Sequence, residues 1–300
     1  MSRLAIAITL FPCLLAFLVS VRAESPAAQA WELSLRTRQV VKLPDGSQEF
    51  RVENRKAIWN PKKTALIICD MWDDHWCHGA AARVNELAVP MNKLVHKLRD
   101  QGVFIIHAPS TCVDFYKDSP QRKRALAAPF AKAPIALSEK TRWGTKWCYP
   151  VTEREPELPI DDSDMGCDCA KKCAITSPWK RQNKLIDIKE DDAISDDGQE
   201  VYNLLQERGI DNVLIAGVHL NMCVLGRSFA IRQMSLLGKN VVLVRDMTDT
   251  MYNHEMKPRV NHFQGSDLVV EHVEKYWRPT TLSSDLAGGA PFRFREDQRQ

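Results

Sequence analysis

"VLIAGVHLNMCVLGRSFAIRQM" occupies residues 213–234. Its opening, with Asn212 before it, is a short apolar run without polar alternation, the pattern of a strand covered on both faces. The run ends at Gly217-Val218-His219, and apolar residues then recur at helical spacing from Met222 onward. A buried strand that turns directly into a helix is half of a βαβ unit. It sets Cys223 at or near a helix start, beyond the carboxyl end of the strand.

The same rhythm extends in both directions. "TALIICD" (64–70) is a first buried strand, and "AARVNELAVPMNKLVHKLRDQG" (81–102) is an amphipathic helix that stops at Gly102. "VFIIHAP" (103–109) is a second strand and "KLIDIK" (184–189) a third, followed by a helix at "GQEVYNLLQERG". Residues 212–218 make the fourth and "NVVLVRD" (240–246) the fifth, with a weak sixth near 270–282. The alternation predicts a three-layer α/β/α fold with a doubly wound, mostly parallel sheet.

Three segments fall outside this rhythm. Residues 1–23 carry Arg3, an apolar stretch from Leu4 to Val21 and a small-residue exit at Val21-Arg22-Ala23, the pattern of a cleaved signal peptide. Export to a periplasmic or extracellular compartment is the expectation, with no stable membrane insertion after cleavage. Residues 24–61 contain two alternating runs around the turn sequence "LPDGS", a β-hairpin extension. The α/β domain then runs over 62–285, with an insert at about 110–183 rich in Pro, Cys and Trp. Residues 286–300 read as a loosely ordered tail. Formal charge is +3, with both signs spread along the chain, so nucleic acid is not an expected partner and a small molecule is.

Ligands of open parallel sheets bind beyond the carboxyl ends of the strands. Those ends offer Asp70, His107, Lys189 and Cys223. A cysteine at a helix start gains thiolate character from the helix dipole and from a nearby cation, and a carboxylate within reach can carry its proton.

At these residues the chain resembles the isochorismatase-like cysteine hydrolases, which include nicotinamidases and N-carbamoyl amidohydrolases. "ALIICDMWDD", "LIDIKEDDAI" and "VLIAGVHLNMCVLGRSFAIRQM" are similar to the family's three motifs, the last most specifically. The resemblance spans about residues 62–250. It implies Asp70 as general base, Lys189 as orienting cation and Cys223 as nucleophile. It also implies a cis peptide at Val218–His219, with the backbone N–H groups of His219 and Cys223 forming an oxyanion hole. Trp72, His75, His219 and Leu220 depart from the family's usual residues. Trp72, His75, His107 and Leu220 are the expected substrate pocket, and an even-numbered homo-oligomer is implied by the resemblance alone.

The implied activity is hydrolysis of C–N bonds in a small amide or carbamoyl substrate through a thioester, without a cofactor. The presence of Cys223 argues against the vinyl-ether chemistry of isochorismatase itself. The alternatives are a non-catalytic small-molecule binding protein on the same fold, or a metal-dependent hydrolase using Asp73, His75 and His107. "GCDCAKKC" (166–173) lacks a standard zinc spacing and an evident fourth ligand. In an exported chain, disulfides among Cys77, Cys112, Cys148, Cys167, Cys169 and Cys173 are therefore the expectation, with Cys77 paired into the insert. Trp76, Trp143, Trp147 and Trp179 are candidate pocket walls or packing anchors of that insert.

Overall fold

The computed structural model describes residues 30–135 and 147–299. The leader expected at 1–23 and Trp143 lie outside the described residues. β1 (Trp31–Lys42) and β2 (Gln48–Trp59) form the hairpin, and β3 (Thr64–Cys69), β4 (Phe104–Ala108), β5 (Ala193–Ile194), β6 (Asn212–Val218), β7 (Asn240–Asp249) and β8 (Thr280–Thr281) follow. They share one sheet in the order β2-β1-β8-β7-β6-β3-β4-β5. The run from β8 to β5 is parallel, and the hairpin extends it antiparallel through β1 against β8.

Burial on both faces explains the unalternating strands. Ile67, Ile106 and Ile215 point to one layer, formed with α3 (Gly198–Glu207), α4 (Ile231–Leu236) and α5 (His262–Tyr276). Leu66, Ile68, Ile105 and Leu214 point to the other, where α1 (His78–Asp100) presents Val84, Leu87, Met91, Leu94 and Leu98 at helical spacing. Caps fix the helix starts. Asp197 accepts the N–H groups of Gln199 and Glu200 ahead of α3, and Asn261 with Gln264 forms a capping box ahead of α5.

One glycine matters to the site above it. Gly217 has φ of +109°, and a Cβ there would stand 2.0 Å from the Cys69 carbonyl oxygen. β6 can therefore approach the end of β3, which brings residues 218–223 over Asp70, only with glycine at this position.

The structure corrects four sequence expectations. Residues 184–189 are not a strand; the short fifth strand is 193–194. The cause is Asp192, whose carboxylate accepts the Lys189 N–H at 2.7 Å and Arg99 Nη2 at 2.7 Å and lies 3.0 Å from His107 Nε2. Those bonds gather 184–192 into turns around one buried carboxylate. The sixth parallel strand is two residues long because α5 takes most of the segment expected for it. The tail packs on the core: Phe294 stacks on Phe263 with ring centroids 5.5 Å apart, and Asp246 accepts the Phe292 N–H. Finally, the helix after Cys223 is broken. A wide turn at 220–224 is separated from α4 by irregular backbone at 227–230.

The described parts of the insert are held by buried polar bonds. α2 (Pro120–Ala127) packs beside α3 and β5, and buried Glu155 receives Arg232 Nε at 2.7 Å and Nη2 at 2.9 Å, with His272 Nε2 at 2.8 Å. Burial pushes the Glu155 carboxyl up, but hydrogen bonds from His272 and Arg232 outweigh it and hold it down at about 2. Asp192 is likewise raised by burial and held at about 2 by its bonds to His107 and Arg99. Both folded values lie below the unfolded ones, so the folded state binds fewer protons. Their stabilisation is present above about pH 4.5 and is lost as pH falls toward 2, at roughly 3 kcal/mol for each group. Urea titrations between pH 5 and 2.5 should show this steep loss, and Glu155→Gln should flatten it while lowering stability at pH 7. Equal slopes in the two proteins would contradict this account of the anchor.

Candidate active site

Asp70 ends β3 with φ of +46°, a left-handed conformation uncommon outside glycine but tolerated by Asp. That turn sends its fully buried carboxylate across the strand ends. Oδ1 accepts the Ser110 N–H at 2.7 Å, and Oδ2 accepts Arg227 Nε at 3.0 Å. Cys223 stands beside the same carboxylate and is 6% exposed. Burial first, and the Asp70 charge second, push its thiol well above the ordinary range; Arg227 and the backbone N–H of His219 pull the other way. At neutral pH the pair is therefore a thiol facing an ion-paired carboxylate. The Val218–His219 peptide bond is cis, and the His219 N–H faces the Cys223 sulfur.

Lys189 is elsewhere. Its side chain is 53% exposed and its ammonium lies 3.9 Å from Asp187. The folding of 184–192 around Asp192 turns this lysine away from the strand ends. The cation on Asp70 is Arg227, nearly buried, with its guanidinium 4.7 Å from the Trp147 ring centroid. A sequence signal for it existed: Arg227 stands four residues after Cys223, the spacing that puts two side chains on one face of a helical turn. Asp196 was also missed. Its carboxylate accepts the Thr111 N–H at 2.7 Å and feels the charges of both Asp70 and Arg227.

Aromatic rings stack around His75 near the ends of β3 and β6. Trp72 and Trp179 stack with centroids 4.4 Å apart and planes 12° apart, and His75 lies over Trp179 at 5.6 Å and edge-on to His219 at 4.9 Å. Trp72 Nε1 donates to the Ser110 carbonyl and Trp179 Nε1 to the Thr111 hydroxyl, so both indoles are fixed at their polar ends. Burial lowers His75 to about 4 and holds His219 well below its ordinary value, so both imidazoles are neutral at pH 7. His219 Nε2 is buried without a hydrogen-bond partner among the described residues. Leu220 is buried in the core that includes Trp72 and Cys223.

His107 does not join this wall. It is fully buried, with Nδ1 at 2.9 Å from Gln182 Oε1 and Nε2 on Asp192. Asp73 accepts the backbone N–H groups of Lys180 and Arg181 and so holds the Trp179 segment in place. Asp73, His75 and His107 therefore do not converge as a ligand set among the described residues. Expected disulfides are absent as well: all eight described cysteines are free, and Cys77 meets Cys169 of the insert at 3.8 Å between sulfurs, not at bonding distance.

No protein-family model matches the chain, and no curated protein sequence matches it. Among solved structures it is similar to a cysteine hydrolase from Pseudomonas syringae pv. phaseolicola 1448A, at 15% identity and a TM-score of 0.46, over 76% of this chain and 92% of that one. An isochorismatase from Pseudomonas putida KT2440 is similar at 12% identity and 0.43, over 75% and 91%. An isochorismatase family protein from Burkholderia thailandensis is similar at 12% and 0.40, over 75% and 94%.

Proposed function

We propose that this protein is a cysteine hydrolase that cleaves the C–N bond of a small amide or carbamoyl substrate. The observation that carries the reading is the Asp70 carboxylate set beside the Cys223 thiol and clamped by Arg227 beyond the strand ends. The thiol is the resting form, so attack and proton transfer are coupled. As sulfur bonds to the substrate carbonyl carbon, Asp70 takes the thiol proton. The carbonyl oxygen gains charge and is met by the N–H groups of His219 and Cys223. The C–N bond then breaks, and the leaving nitrogen takes the proton from Asp70. Water attacks the thioester and gives a proton to Asp70. That proton returns to sulfur as the acid leaves.

In this reading Arg227 keeps Asp70 charged between the two half-reactions, the role that the family resemblance gives to Lys189. Trp72, His75 and Trp179 form a flat, weakly polar wall, and His219 Nε2 is a free polar group beside it for the substrate. The same reading has the chain exported, with residues 1–23 as its leader.

The aromatic wall and the protonated thiol also fit a binding protein that has kept the fold without turnover. Hydrolysis of a panel of small amides and carbamoyl compounds separates the two. Turnover should be present in the wild type and fall by at least about 10⁴-fold in Cys223→Ala. Equal turnover in both proteins, or none in the wild type with tight retention of a panel compound, would reject the hydrolase.

A further inference from the structure

Beyond the Cys223 site, three cysteines meet at the start of α1 and a fourth lies beside them. Cys77 precedes the helix, and Cys167, Cys169 and Cys173 come from the insert. The sulfurs of Cys77, Cys167 and Cys169 all lie within 4.8 Å of one another, and Cys77 to Cys169 is 3.8 Å. Cys173 lies beside Cys167 and Cys169 but outside this trio, so it completes the set only by a small shift of its exposed loop. A tetrahedral ion with metal–sulfur bonds of about 2.3 Å holds its thiolates about 3.8 Å apart. An iron–sulfur cluster needs its cysteines spread around a bulky core, so this spacing suits a single ion.

The surroundings suit bound thiolates. α1 has no side-chain oxygen cap at its start, and its free N–H groups turn to sulfur instead: Gly79 N–H donates to Cys169 Sγ at 3.3 Å, and that of His78 faces Cys173. The N–H groups of Cys169 and Cys173 face Cys167. Four thiolates on a divalent cation carry a net charge of −2. The positive end of a 23-residue helix and Lys171, between the ligands, oppose it, whereas Lys172 pairs with Asp164 at 2.9 Å. Asp168, between two of the cysteines, pairs with buried Arg83 at 2.7 Å, and Arg83 also binds Asp249 at 2.8 Å. The loop is thereby tied to the end of β7.

We propose that Cys77, Cys167, Cys169 and Cys173 bind one structural zinc ion, taken up as the four thiols release their protons. The sequence hid this because the fourth ligand is 90 residues from the first of the other three, across the insert. Trp179 lies six residues after Cys173, so the ion would fix the segment whose indole stacks on Trp72. The site stands whichever reaction Cys223 performs.

The test is elemental analysis of full-length protein purified without chelator, with thiols counted after denaturation. The expected result is about one zinc per chain with the cysteines reduced. Cys169→Ser should lower the zinc content at least about tenfold, whereas Cys148→Ala, outside the cluster, should retain it. Cobalt exchanged for zinc should give the intense thiolate charge-transfer and tetrahedral d–d bands of a four-sulfur site. Chelation should expose residues 150–181 to protease. Protein without zinc that also takes up no cobalt, or whose four cysteines are recovered as two disulfides, would overturn the proposal. If Cys169→Ser does not fold, the wild-type zinc count, thiol count and cobalt spectrum decide alone.

Discussion

Asp70→Asn is expected to lower kcat by about 10³- to 10⁴-fold with little change in KM, because the proposed base acts on the reacting atoms and not on substrate binding. The substitution is nearly isosteric. Asn can still accept the Ser110 N–H that Oδ1 takes at 2.7 Å. What it removes is the charge, with two consequences of opposite sign for Cys223. The thiol loses its proton acceptor, so turnover collapses. It also loses the negative neighbour that, after burial, does most to raise its pKa. Alkylation by a small neutral reagent should therefore be faster in Asp70→Asn than in the wild type at a given pH, even as hydrolysis disappears. A merely structural Asp70 would slow both. Thermal stability should fall by a few kcal/mol, since Arg227 is left as a nearly buried cation without its partner.

Arg227→Met and Lys189→Met should separate sharply. Removing Arg227 strands the fully buried Asp70 charge, which costs about 3–5 kcal/mol or is relieved by Asp70 taking a proton. In a domain of this size that is a fall of about 10 °C in Tm. In either case the base is impaired, and kcat should drop at least about 100-fold. Lys189 is half-exposed, and its ammonium is 3.9 Å from a surface carboxylate. Its replacement should change stability by less than about 0.5 kcal/mol. It should leave kcat within about twofold, because no part of it touches Asp70 or Cys223. The reverse ranking would restore Lys189 as the cation of the site. A double-mutant cycle between positions 70 and 227 should give a coupling of about 2–3 kcal/mol.

The contrast between these two residues marks how far the sequence can be read. Apolar runs at 64–69, 103–109, 212–218 and 240–246 are legible because a strand buried on both faces leaves no room for polar alternation. Asp70 and Cys223 are legible because strand ends and helix starts are where an open sheet exposes its chemistry. Lys189 misled because "KLIDIK" has strand-like residues, yet one buried carboxylate at Asp192 offers its neighbours better bonds than a sheet edge does. Such tertiary override has no local signature. Arg227 was within reach through its four-residue spacing from Cys223. Trp179 was legible only as one of four tryptophans, and Cys77 only as a cysteine meeting the insert; their actual partners depend on the path of an insert whose turns are set by long-range ion pairs such as Arg232–Glu155 and Arg83–Asp168.

The central claim is that Cys223 becomes acylated. Wild-type protein mixed with a reactive small amide or carbamoyl compound, quenched in acid during turnover and weighed intact, tests it most directly. The account predicts a mass gain equal to the acyl group, mapped by peptide digestion to Cys223, lost on treatment with hydroxylamine and absent in Cys223→Ala. Sustained hydrolysis with no adduct at any quench time, or an adduct on another residue, would contradict it.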